Sequence, residues 1–217
     1  MKKFAFLILT VLLSISSYAQ FGLKGGVDYG SVAGRDATSY RWGFHGGMTY
    51  DFQVSEMMYI QPGALLSFHS FGFKERNFIK GGKTNKLNLE MPILVSFRPQ
   101  IDNHGTKLVI DFGPYIKYGI AGDKNILLQN LSAGALEING SFYDDSYSQN
   151  KPTPADGTDS KSTFEFNRLD VGLTAGIGIE VMNIFGGISY QYGLTEAEKK
   201  NSDTHNSIFR FSLGYKF

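Results

Sequence analysis

Leu87-Asn88-Leu89-Glu90-Met91-Pro92-Ile93-Leu94-Val95-Ser96-Phe97-Arg98 carries an apolar side chain at every odd position and a polar one at most even positions. A period of two places the odd residues on one face of an extended strand; no helical face collects them. A second stretch repeats the pattern, with Tyr40, Trp42, Phe44, Gly46, Met48, Tyr50 and Phe52 on one face and Arg41, Gly43, His45, Gly47, Thr49 and Asp51 on the other. Extending this reading along the chain predicts eight strands, at 21–30, 40–52, 57–73, 85–98, 106–120, 164–181, 184–195 and 206–217. They cover far more of the chain than the fifth to quarter usual for soluble proteins. The gaps alternate between short (53–56, 99–105, 182–183) and long (31–39, 74–84, 121–163, 196–205). Short turns on one rim, long loops on the other and an even strand count describe a bacterial outer-membrane barrel.

The two faces of these strands differ in kind. The apolar parity runs through Leu23 to Tyr29, Tyr40 to Phe52, Ile60 to Ser70, Leu87 to Phe97, Leu108 to Tyr118, Leu169 to Ile179, Ile184 to Leu194 and Phe209 to Phe217, and contains no Asp, Glu, Lys or Arg. A charge on that face would cost about 2 to 4 kcal/mol at the bilayer midplane. The opposite parity carries Lys24, Asp28, Arg41, Asp51, Glu90, Arg98, Lys107, Asp111, Lys117, Arg168, Asp170, Glu180, Arg210 and Lys216, interleaved with glycines. In a soluble barrel that face would be outermost, where glycine only weakens a strand. Lining a narrow lumen, glycines make room for long side chains and opposite charges neutralise one another. Tyr40, Trp42, Tyr50, Phe52, Tyr118, Tyr190, Tyr192, Tyr215 and Phe217 fall near strand ends, at headgroup level. Pro62, Pro92 and Pro114 lie within strands, where bulges or non-hydrogen-bonded sites are expected.

The first residues state the compartment. Lys2 and Lys3 precede the apolar run Phe4 to Leu13, and Ser17-Tyr18-Ala19 supplies the small residues of a cleavage site. Residues 1–19 thus read as a signal peptide, too short in its apolar part to span a bilayer, and 20–217 as the barrel domain. The 217 residues contain no Cys, which excludes disulfides, a lipoprotein anchor and cysteine-ligated metals. A formal charge of +1 lacks the basic stripe of a nucleic-acid surface.

The chain resembles the PorT-like outer-membrane β-barrel proteins of the Bacteroidetes. The resemblance covers nearly all of the mature chain. It lies in Tyr59-Ile60-Gln61-Pro62-Gly63-Ala64-Leu65-Leu66, Leu89-Glu90-Met91-Pro92-Ile93-Leu94, Phe112-Gly113-Pro114-Tyr115, Leu169-Asp170-Val171-Gly172-Leu173, Gly176-Ile177-Gly178-Ile179-Glu180 and Tyr190-Gln191-Tyr192-Gly193-Leu194-Thr195. Gly63 stands where the family often has a carboxylate. These are architectural motifs, so they imply fold and compartment; some members are tied to protein secretion. Leu213-Gly214-Tyr215-Lys216-Phe217 resembles the C-terminal signal read by the barrel-assembly machinery, which makes Gly214, Tyr215 and Phe217 the candidate assembly residues.

Chemistry is sparser. His205-Asn206-Ser207 is a little like the His-x-Ser pair of lipid A deacylases, with Glu196 or Glu198 to orient the ring; the competing reading is a polar rim. Asp144-Asp145 and Asp156-Gly157-Thr158-Asp159 offer oxygen ligands but lack the spacing of a calcium loop. His45 and His69 face inward as hydrogen-bonding groups. The expectation is therefore an all-β, eight-stranded antiparallel up-and-down transmembrane barrel in the bacterial outer membrane, with no catalytic residue, cofactor or metal. Arg41, Glu90, Asp111, Lys117, Arg168, Asp170 and Arg210 should form a structural charge network that plugs the lumen. Expected partners are outer-membrane lipid and lipopolysaccharide, the assembly machinery and an extracellular or periplasmic protein, for which the extracellular loop 121–163 is a candidate surface. A lipid A-modifying enzyme and a small pore are the alternatives.

Overall fold

The computed structural model describes residues 19–33, 38–73, 79–102, 105–130, 134–141, 147–149, 167–195 and 205–217. Its elements are β1 (Ala19–Ala33), β2 (Thr38–Ser39), β3 (Arg41–Gln53), β4 (Met58–Phe73), β5 (Ile79–Phe97), β6 (Thr106–Asn130), β7 (Gly134–Ser141), β8 (Tyr147–Gln149), β9 (Leu169–Val181), β10 (Ile184–Gly193) and β11 (His205–Lys216). Eight of them close a ring in the order β1-β3-β4-β5-β6-β9-β10-β11, every neighbour antiparallel, with β11 returning to β1 from Gly22↔Lys216 to Ala33↔His205. Closure leaves the wall without an unpaired edge, the condition hydrocarbon imposes on a sheet.

The face assignment read from the sequence holds on every strand. None of the positions of the apolar parity is buried, and Phe44, Phe112, Ile177 and Leu213 stand well out from the wall. Inside, the buried set is mostly polar, with Leu65, Leu94, Val109, Tyr115 and Ile208 as its apolar members. Glycine makes this interior possible at close approaches. A Cβ on Gly172 would come 2.6 Å from the Tyr115 hydroxyl, and one on Gly47 would come 2.1 Å from the Ala64 carbonyl oxygen.

The start of β1 at Ala19, Phe217 and the short turns share one rim. Val54 N–H and Ser55 N–H donate to Met58 O; Asp102 accepts from Thr106 N–H and Oγ1–H, both at 2.8 Å, beside Gly105 at φ 87°. The two-residue turn holds Met182 at φ 53°, and Asn183 Nδ2–H donates to Lys216 O. Phe217 N–H reaches Phe21 O at 2.8 Å, so the terminal residue is part of the closure.

Two expectations change and a third resolves. The stretch 121–163 is not one loop: β6 continues to Asn130, and β7 and β8 add to it, with Ile126-Leu127-Leu128 opposite Leu136-Glu137-Ile138. β5 begins at Ile79, six residues early, because β4, β5 and β6 keep pairing above the ring; the passage is marked by a register shift between Leu87 and Asn88. At the prolines, where bulges or non-hydrogen-bonded sites are expected, the second is found. Pro62↔Ile93, Pro92↔Tyr115 and Pro114↔Leu173 keep register, although the ladder skips partners next to them, as a missing N–H donor requires. Most of the signal peptide, the aspartates at 144, 145, 156 and 159, and the glutamates at 196 and 198 lie outside the described residues.

Candidate functional site

Directly opposed pairs on adjacent strands begin the lumen: Asp28↔Arg210, Glu90↔Lys117, Lys117↔Asp170 and Lys107↔Glu180. Side chains facing one way on neighbouring strands lie within reach of each other. Toward the long-loop rim Asp28, Glu90 and Lys117 merge into one cluster centred on Arg210. Its guanidinium donates to Asp28 through Nε (2.9 Å) and Nη2 (3.2 Å), and to Glu90 through Nη1 (2.7 Å) and Nη2 (3.0 Å). Since β11 and β5 are not neighbours, this residue crosses the lumen. Asp28 and Glu90 are each 0% exposed. Asp28 also meets His45 Nδ1 at 2.8 Å and His69 Nε2 at 2.9 Å, and His45 Nε2 lies 3.0 Å from Ser212 Oγ. Glu90 accepts from Gln191 Nε2–H at 2.7 Å and lies 3.5 Å from Lys117 Nζ.

A second cluster occupies the short-turn end. Arg98 pairs with Asp51, donates from Nε to Ser96 Oγ at 2.8 Å and lies 4.4 Å over the Tyr59 ring. Lys216 pairs with Asp51 at 2.8 Å and with Glu180, and Lys107, 33% exposed, lies 3.6 Å from Glu180. At the other mouth Asp170 accepts from Tyr115 OH (3.2 Å), Asn206 Nδ2–H (2.9 Å) and Thr195 Oγ1–H (3.1 Å).

An apolar wall outside, a closed ring and a charged interior are the marks of a barrel that crosses a membrane, and a model of the outer membrane protein beta-barrel domain matches residues 13–198. The chain belongs to that family. The barrel is a protein of the bacterial outer membrane, with its short turns periplasmic and its long hairpins extracellular. No curated protein matches it. Solved structures similar to it include Ail of Yersinia pestis in complex with the heparin analogue sucrose octasulfate (16% identity, 92% of this chain and 99% of that one, TM-score 0.40). Others are Neisserial surface protein A (8%, 92% and 99%, 0.46) and OprG of Pseudomonas aeruginosa (12%, 92% and 96%, 0.49).

Of the seven residues expected to form one network, the barrel brings together Glu90, Lys117 and Arg210. Asp170 heads the separate mouth cluster. Arg41 and Arg168 are half-buried at the extracellular rim, and Arg41 makes no ion pair with another described residue. Asp111 is buried apart from both clusters. In the sequence, Asp28, the hub of the extracellular cluster, and the whole periplasmic cluster stand out only as members of a charged face. The register Asp28↔Arg210 on the closing pair was the signal that could have found the hub.

The candidate assembly residues sit at the seam. Phe217 packs against Phe21 (5.8 Å) and Tyr215 (5.1 Å), while Gly214 lies opposite Lys24. On the outer wall, Ser207 is 3% exposed and its Oγ lies 2.9 Å from the Tyr190 hydroxyl, while the His205 ring rests on Tyr192 at 5.5 Å.

Proposed function

We propose that the barrel is a plugged, non-enzymatic structural or interaction protein that works through its extracellular sheet. The observation carrying this reading is the Arg210 crosspiece: a guanidinium held by two fully buried carboxylates on opposite sides of the ring obstructs the lumen. A partner would then meet the part that rises above the ring, where β4, β5 and β6 continue and β7 and β8 are added. The motifs of the Pro62, Pro92 and Pro114 strands favour a PorT-like place within the family and with it a link to protein secretion. Lipid and lipopolysaccharide contact the apolar wall, and the assembly machinery reads the strand ending in Phe217.

Two observations weigh against the alternatives. The Ser207 hydroxyl is buried and engaged by Tyr190, so Ser207 does not stand open as a nucleophile toward a lipid A acyl ester. A small pore would need the Arg210 bridge to open. Planar-bilayer recording of the purified barrel tests the plugged reading: silence in ordinary salt is expected, and reproducible long-lived conductance steps would overturn it. Crosslinking in cells followed by purification should recover a protein partner through the 79–86 and 121–130 strands. Recovery of none but assembly factors would remove the interaction role.

A further inference from the structure

Between the two ion clusters lies a layer in which one cation and one anion have no ion-pair partner among the described residues. Lys24 enters it from β1, flanked across the strands by Gly47 and Gly214, and its ammonium lies 4.8 Å over the Phe185 ring. Asp111 enters from β6, is 6% exposed, and its Oδ1 has no hydrogen-bond donor among the described residues. Two cavities of about 20 Å³ each flank the pair, and Lys24, Thr49, Gln61 and Asp111 line both. One reaches the periplasmic cluster at Arg98 and Lys216, the other the extracellular cluster at Glu90 and Arg210.

Charge and size together select the occupant. The extracellular cluster balances Asp28 and Glu90 with Arg210 and Lys117, and the periplasmic one balances Asp51 and Glu180 with the buried Arg98 and Lys216, its third cation, Lys107, standing a third exposed to water at the rim. Lys24 and Asp111 therefore cancel each other, and a further ion of either sign would leave this layer charged. A dry gap would leave a buried carboxylate oxygen unmet, which is costly. Water donates to a carboxylate and accepts from an ammonium, and a polar cavity of more than about 10 to 15 Å³ admits one molecule. We propose that Lys24 and Asp111 form a water-bridged ion pair, with one internal water in each cavity, so that the plugged lumen holds a hydration site at its centre.

X-ray radiolytic footprinting of the refolded barrel in lipid tests this, because radicals born from a held water oxidise the side chains around it. Leu65 and Leu94 are buried and line the extracellular-side cavity, whereas buried Tyr115 lines neither. Oxidation of the two leucines with Tyr115 spared is expected, against the intrinsic order of their reactivities. Replacing the pair by Lys24→Met with Asp111→Leu should abolish the leucine signal in protein that still shifts its gel migration on boiling. If that variant does not fold, Asp111→Asn and Thr49→Val should each reduce the signal. Leucines as silent as Tyr115, or a signal unchanged in folded variants, would overturn the proposal.

Discussion

The extracellular and periplasmic clusters use the same four kinds of charge and differ in their access to water. Around Arg210 every charged partner is buried, and its two carboxylates depend on that one guanidinium and on Lys117. Around Asp51 and Glu180 a third cation, Lys107, stands a third exposed at the rim. The difference teaches that a lumen ion pair is as strong as the compensation left after one partner is lost. Remove Arg210, and Glu90 keeps Lys117 while Asp28 keeps the two histidines, His45 and His69, with no lysine or arginine paired to it among the described residues. Remove Lys216, and Arg98 and Lys107 still balance Asp51 and Glu180.

The largest effect should therefore follow Arg210→Met. Leaving a buried charge uncompensated costs about 3 to 5 kcal/mol, read as a shift in the urea midpoint for folding into vesicles with Trp42, the single tryptophan, on the outer wall as reporter. Neutralising the orphaned carboxylates in the same chain, by Asp28→Asn and Glu90→Gln, should recover most of that loss. No recovery would mean that Arg210 acts by filling space, and the electrostatic contrast between the clusters would collapse.

Lys216→Met comes next, at about 1 to 3 kcal/mol, the scale of losing charge-assisted hydrogen bonds without stranding a charge. Adding Lys107→Met should then bring the loss up toward that of Arg210→Met, since the rim cation no longer compensates. Equal losses for Lys216→Met and Arg210→Met would break the comparison outright, and additive losses for Lys216 and Lys107 would remove the compensation it rests on.

The contrast also marks what a single sequence can disclose. Alternation identified the wall, the lumen face and the eight strands, because strand period and bilayer polarity act residue by residue. Glu90 and Lys117 were legible as lumen charges on successive strands, and antiparallel register does set them face to face. Arg210 with Glu90 was not legible, because that contact crosses the ring between β11 and β5 and depends on the curvature of all eight strands. The stretch after residue 120 misled for another reason. Its run of Ser, Asp, Asn, Tyr and Pro reads as one long loop, yet pairing with β5 and β7 extends the strand to Asn130.

The smallest expected effect lies on the outer wall. Ser207 pairs with the Tyr190 hydroxyl at the level of the extracellular aromatic belt, and both groups belong to uncharged side chains. Ser207→Ala should therefore lose only the net worth of one neutral hydrogen bond, about 0.5 to 1.5 kcal/mol, and lipid A from cells carrying it should show an unchanged acyl pattern by mass spectrometry. His205→Ala should likewise leave that pattern intact, because the ring rests on Tyr192. An acyl chain retained in either variant would make the pair catalytic and place an activity on the outer wall, away from the two lumen clusters.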